Sequence, residues 1–354
     1  MDIHALMDDA YEKGASDLHI SVGRPPVLRV SGGLVEVGDA PLTAEDTEAM
    51  ARALAPARNW EELQECGSTD FGVAHQDKCR YRVSVLTQKG SRGIVMRQIP
   101  QKLLTFDQIG LPESVQDLLN LHRGLILVTG PTGSGKTTTL STMIDWINKN
   151  RDVHIITIED PIEYYHSHQK SQVTQREVGT DVSTFAEAMR RALRQDPDVI
   201  LLGEMRDLET TSAAITAAET GHLVFGTLHT TGAARTVDRI IDQYPREQQE
   251  QIRSQLAQSL VAVISQILIP TPDGGRVAGF EVMLTTPAIE NHIRKCETFK
   301  IGSVIQTSRR QGMMLMDDCL LDLYREGRID QETALERAFD GKGLLTRMGG
   351  GAAE

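Results

Sequence analysis

Residues 125–138 read Leu-Ile-Leu-Val-Thr129-Gly130-Pro131-Thr132-Gly133-Ser134-Gly135-Lys136-Thr137-Thr138 and run from an apolar strand through a glycine-rich turn into a helix. The turn matches G-x-x-x-x-G-K-[ST], the phosphate-binding loop. Its glycines let the backbone curl until the N–H groups point inward at an anion, and the helix N-terminus adds partial positive charge. The pattern assigns Lys136 to the β- and γ-phosphates of ATP and the Thr137 hydroxyl to Mg²⁺. Thr138 sits beside them in the first helical turn. A glycine-rich turn without a ligand is the bland alternative, and eight matched positions between a strand and a helix weigh against it.

Outward from this loop, strand, turn and helix alternate, which predicts a parallel sheet with crossover helices, an α/β fold. Residues 153–158 and 223–227 are apolar strands, and 199–202 is a short buried one. Thr184 and Glu187 open a helix that Pro197 ends. Beyond Arg246, Ile252, Leu256, Leu260, Val263, Ile264 and Ile267 recur at helical spacing, and two further helices are expected over 317–326 and 331–339. The first hundred residues read as a separate small α/β domain. A helix carries Ile3, Leu6, Met7 and Ala10 on one face, and Thr43 to Asp46 forms a capping box. Strands are expected at 18–22, 27–30, 34–37, 70–74, 80–86 and 93–97, with Ser31-Gly32-Gly33 as a hairpin turn. The expected division is an N-terminal domain over 1–99, a linker over 100–113 punctuated by Pro100, Gly110 and Pro112, a second domain over 114–340, and a disordered Gly-rich tail over 341–354.

Composition narrows the function. The chain has 354 residues, 37 Lys plus Arg against 49 Asp plus Glu, and a net charge of -12. Phosphate-backbone binding rests on many Lys and Arg, so a general nucleic-acid binder is disfavoured. Aromatic residues make up 4%, too few for a base-stacking surface. The four cysteines form no C-x-x-C pair, which disfavours structural zinc and fits a reducing compartment. The start lacks the basic and apolar regions of a signal peptide. Ser265 and Gln266 break the longest apolar run, well short of the ~20 residues a spanning helix needs. The protein reads as cytoplasmic.

Three strand ends carry the remaining chemistry. Glu159, Asp160 and Glu163 crowd past one strand's carboxyl end, the edge where ligands sit in parallel sheets. They suit Mg²⁺ waters or an attacking water, though a solvated turn at Pro161 is the plain alternative. Asp198 to Glu204 is an apolar strand tipped by a carboxylate, with Gly203 where an Asp would bind Mg²⁺ in the usual pattern. Glu204 then activates water, serves the metal, or does both. His222 and His229 bracket a further strand; His229, at its carboxyl end, is placed to sense the γ-phosphate, and His222 is a candidate nucleotide contact. Residues 78–102 hold seven basic residues and no acid. That run is either a solvated sheet face or a source of arginine fingers, with Arg82 and Arg97 the leading choices because they fall in strands.

Together these motifs resemble the secretion ATPase superfamily, most closely its type IV pilus retraction motors, over nearly the whole chain. Glu159 to Glu163 is similar to that family's Asp box, the strand ending at Glu204 to its atypical Walker B, and the strand ending at His229 to its His box. The resemblance implies a PAS-like N-terminal domain, a RecA-like ATPase domain and a ring-shaped homohexamer with ATP at subunit junctions. It also implies N-domain arginines at the phosphates and docking on an inner-membrane pilus platform protein, with other pilus motor ATPases as further partners. The absence of an extra N-terminal domain and of a four-cysteine insert favours the retraction branch over the assembly and type II secretion branch. One stretch departs: where retraction motors resemble A-I-R-N-L-I-R-E, this chain has Ala288-Ile289-Glu290-Asn291-His292-Ile293-Arg294-Lys295. Either the charge swap is compensated or the chain is a divergent paralogue. A RecA-like nucleic-acid motor and a nucleotide-sensing adaptor that barely hydrolyses ATP are the rival readings.

Overall fold

Alternation sets the N-terminal sheet. Cys79, Tyr81, Val83 and Val85 point to one face and are buried, while Arg82 between them is exposed. The computed structural model describes residues 2–30, 32–76, 78–99 and 103–349. Ser31 of the expected turn, Pro100 of the expected linker, Lys102 of the basic run and residues 350–354 lie outside the described residues.

The chain forms two units, Met1–Leu103 with Pro161–Tyr165, and Leu104–Asp160 with His166–Glu354. The first contains α1 (Ile3–Glu12), β1 (Asp17–Ile20), β2 (Val27–Val30), β3 (Gly33–Glu36), α2 (Ala44–Leu54), α3 (Ala57–Cys66), β4 (Ser68–His75), β5 (Cys79–Gln88) and β6 (Ser91–Ile99). The strands make one antiparallel sheet in the order β3-β2-β1-β6-β5-β4. Its core packs Leu18, Met96, Val83 and Tyr81 against Met7 of α1 and Met50 of α2. Thr43 and Asp46 close the capping box on α2 reciprocally, as the sequence predicts.

The second unit begins with two short helices, α4 (Phe106–Ile109) inside the segment read as linker and α5 (Glu113–Leu118) starting at its last residue. It continues with β7 (Gly124–Thr129), α6 (Lys136–Asn150), β8 (His154–Glu159), β9 (Gln172–Glu177), α7 (Phe185–Ala192), β10 (Val199–Leu202), α8 (Leu208–Glu219), β11 (Leu223–Leu228), α9 (Ala233–Ile241) and α10 (Gln249–Ser259). Then come β12 (Leu260–Pro270), β13 (Arg276–Leu284), α11 (Pro287–Arg294), α12 (Ile301–Thr307), α13 (Met316–Arg325), α14 (Gln331–Arg337) and α15 (Gly341–Arg347). The sheet order is β13-β12-β7-β11-β10-β8-β9, parallel throughout except for β13. Parallel pairing brings the carboxyl ends of β7, β11, β10 and β8 to one edge.

Two expectations are corrected. The helical spacing expected through Ile267 stops at Ser259, and residues 260–270 form strand β12 between β7 and β13. The run is buried on both faces, so it is apolar at nearly every position and satisfies a period of 3.6 by accident. Residues 341–347 of the tail expected to be disordered instead form α15. Asp340 caps its first turn, Leu344 is buried, and Arg347 pairs with the buried Asp318.

Candidate nucleotide site

At the end of β7 the chain turns through Gly130, Pro131, Thr132, Gly133, Ser134 and Gly135 into α6, whose first residues are Lys136, Thr137 and Thr138. Gly130 has φ +145°, and a Cβ there would lie 2.1 Å from the Gln266 carbonyl oxygen of β12. The loop is therefore folded directly against backbone, and only glycine fits. The helix starts at Gly135 with no side-chain cap. The Ser134 hydroxyl is buried without a hydrogen-bond partner among the described residues. Lys136 Nζ donates to the carbonyl oxygens of Gly130 at 2.8 Å and Pro131 at 3.1 Å, holding the lysine across the loop. A loop with an orphaned hydroxyl, an uncapped helix start and a cation folded over it fits a phosphate chain.

Two residues missed by sequence reasoning brace this cradle. Thr139 of α6 donates through its hydroxyl to the Gln266 side chain at 2.7 Å, deep in the protein. Ser265 pairs in register with Thr129. Two polar residues inside an apolar run were the available signal; the helical reading of the run hid their level beside the loop.

Glu204 follows β10, two strands from β7 and so about 10 Å along the edge. His229 follows β11, the strand between them. His229 Nε2 lies 2.9 Å from Glu204 Oε1, and Arg206 Nη2 lies 2.7 Å from Oε2. Burial pushes the Glu204 carboxyl up, but the Arg206 guanidinium and His229 outweigh it and hold the group below its ordinary value. Arg206, two residues beyond the strand tip, was not singled out in the sequence. A cavity of about 360 Å³ opens here, lined by Glu204, Arg206, His229, Thr230 and Arg239 among others.

Gly203 has a packing reason. A Cβ there would lie 3.2 Å from both the Glu159 Cα and the Ile158 carbonyl oxygen. Glu159 ends β8, is buried, and accepts from the Thr157 hydroxyl at 2.6 Å and the Gln175 amide at 3.2 Å. Asp160 is exposed beside it. Glu163 groups instead with the N-terminal unit, in the segment Pro161–Tyr165, where Arg80 stacks over the Tyr165 ring at 4.3 Å. Arg82 and Arg97 also belong to that unit and face each other in register on β5 and β6. Arg97 Nε donates to the buried Asp17 at 2.9 Å.

His222 is a correction. It precedes β11, at the opposite edge of the sheet from His229, six strand residues or about 20 Å away. Its Nδ1 donates to the Ala217 carbonyl at 3.0 Å, closing the end of α8, so it does not reach the phosphate edge. Among the described residues, no group of three or more His, Cys, Asp and Glu is placed to hold a metal ion.

A model of the Type II/IV secretion system protein family matches residues 1–314. The chain belongs to that family. It is 47% identical over 338 residues to the type IV pilus retraction ATPase PilT of Pseudomonas aeruginosa, covering 96% of this chain and 98% of that one. It is 45% identical over 320 residues to a twitching motility protein of Neisseria gonorrhoeae, covering 90% and 86%. A crystal structure of the pilus retraction motor PilT with bound ADP superposes with a TM-score of 0.92 at 46% identity, covering 98% of this chain and all of that one. The chain is accordingly a nucleotide-binding P-loop ATPase of this family, with an N-terminal domain followed by a RecA-like domain. No described helix is long and apolar enough to cross a membrane.

The late stretch that departs from the retraction pattern lies in and just after α11. Glu290 pairs with Arg294 one turn on at 2.7 Å, and His292 with Glu297 at 3.1 Å. The glutamate in the first turn and the arginine in the last both complement the helix dipole.

Proposed function

We propose that this protein is a ring-shaped homohexameric motor that hydrolyses ATP to drive type IV pilus retraction from the cytoplasmic face of the inner membrane. The observation that carries the reading is the Glu204–His229–Arg206 cluster beside a complete phosphate loop. The full-length likeness to PilT supplies the pilus context.

In this reading Lys136 leaves the loop carbonyls for the β- and γ-phosphates, and the loop N–H groups hold the chain in line. Thr137 would hold Mg²⁺, which supplies charge neutralisation on the phosphates, and Glu204 would meet it through water. Glu204, kept ionised by Arg206 and His229, orients the attacking water, with Glu163 as a second carboxylate. Glu159 and Asp160 complete the acidic edge. Arg82 and Arg97 of a neighbouring subunit stabilise charge on the transferred phosphoryl group. Nucleotide binding and release then shift the N-terminal domain against the ATPase domain, to which α4 and α5 belong. The stroke is delivered to a platform protein of the inner membrane, alongside other pilus motor ATPases, with no nucleic acid involved.

The intrahelical Glu290–Arg294 pair favours a compensated late motif over lost function, and leaves a pilus-assembly motor or a paralogue of the retraction motor as the second reading. A deletion strain scored for surface pili and twitching separates them. Retraction predicts extra pili and no movement; bald cells would indicate assembly.

A further inference from the structure

Glu281 lies in the middle of β13 and is 7% exposed. It makes no ion pair among the described residues. Its Oε1 accepts from the Ala233 N–H at 2.7 Å. Ala233 is the first residue of α9, which has no side-chain cap of its own. The buried carboxylate therefore receives this helix start with its partial positive charge. Burial pushes the Glu281 carboxyl above its ordinary range, against the pull of the Ala233 N–H. Its register partner on β12, Ser265, completes the junction by accepting from the Gly232 N–H at 2.9 Å.

The helix start is four residues from His229. Thr230, between them, shares a hydroxyl hydrogen bond of 2.7 Å with Thr236 of α9, and Thr236 donates to the Gly232 carbonyl at 2.8 Å. The peptide that carries His229 is thus fixed at its far end by groups on β12 and β13.

We infer that Glu281 is a positioning residue for His229, holding the start of α9 so that the imidazole meets Glu204. The inference rests on the proposed role of His229 and Glu204 in hydrolysis. A carboxylate serving only the fold would affect stability; one that sets the His229 loop affects turnover through His229.

The experiment is a double-mutant cycle on purified full-length protein, with steady-state phosphate release against ATP concentration. Glu281→Gln keeps the shape and one good acceptor while removing the charge. It is expected to lower kcat about tenfold with KM for ATP little changed, since small misplacements at a reacting centre cost turnover. In a His229→Ala background the same change should cost almost nothing further, because both act on one element. Ser265→Ala, a milder change at the same junction, should show a smaller loss that also vanishes with His229→Ala. If His229→Ala is slow but Glu281→Gln turns over at the wild-type rate, or the losses multiply in the double variant, this inference fails alone. If His229→Ala itself turns over normally, the role of His229 fails, and this inference with it. Should Glu281→Gln not fold, the Ser265→Ala cycle decides by the same criterion.

Discussion

The side chains of Glu204 and His229 meet at 2.9 Å across the tips of two adjacent strands, and Arg206 holds the other oxygen of the same carboxylate. That bracket fixes the carboxylate's orientation and keeps it ionised at the edge where the phosphate loop also ends. Replacing Glu204 by Gln should lower ATP turnover by about 10²-fold or more, in the range of a lost general base, while nucleotide still binds. Phosphate release paired with titration of a fluorescent ADP analogue checks both halves. Wild-type turnover in the variant would remove Glu204 from the reaction.

The same bracket has a signature in acid. The Glu204 pKa is lowered from its ordinary value of 4.5, so the folded state binds its proton more weakly than the unfolded state. The stability it contributes is complete above 4.5 and is lost as pH falls through the lower folded value. Thermal unfolding followed across that window should therefore fall more steeply for the wild type than for Glu204→Gln. Parallel curves would mean that Arg206 and His229 do not hold the carboxylate as described.

Gly130→Ala tests the cradle. The added methyl would collide with the Gln266 carbonyl at 2.1 Å, and the backbone sits at φ +145°. Affinity for ADP is expected to fall at least about tenfold, because the loop must shift to relieve the contact. Unchanged affinity would show that the loop is not held against β12.

Gln266→Leu tests the brace from the other side. It leaves the buried Thr139 hydroxyl without its partner and should cost about 1–3 kcal/mol of stability. Thr139→Val combined with it should recover part of that loss, since removing both polar partners leaves none unmet. Denaturant unfolding measures the cycle.

Removing residues 341–354 should destabilise the C-terminal part. Burial of Leu344 alone is worth about 1.5–3 kcal/mol, and Asp318 would lose Arg347. The melting temperature is expected to drop by about 4–8 °C. An unchanged melting temperature would mean that α15 does not pack as described.

Much of this was legible in the residues. The phosphate loop, the strand tip at Glu204 and the strand-end His229 each combine a period and a residue type that few other arrangements produce. The capping box at Thr43 was equally plain because its two partners are three residues apart. What escaped depends on partners distant in the chain. Leu260 to Ile269 is buried on both faces, and such a run carries no period to separate strand from helix. The misassignment concealed Ser265 and Gln266 as the floor of the loop. The glycines of the last segment outweighed Leu344, whose cover on α13 and α14 cannot be seen locally. His222 shares a strand with His229 but stands at its amino end, and the bracketing pattern carried it into the site although only carboxyl ends face the ligand edge of a parallel sheet.

The sharing of one site between subunits is tested most directly by mixing two inactive proteins. Lys136→Ala removes the phosphate lysine, and Arg97→Ala removes the arginine that Asp17 holds in the N-terminal unit. Each alone should hydrolyse ATP about 10³-fold more slowly than wild type. Mixed, dissociated and reassembled, they should regain measurable turnover, because some junctions then pair an intact loop with an intact arginine. A mixture no faster than its parts would contradict the account.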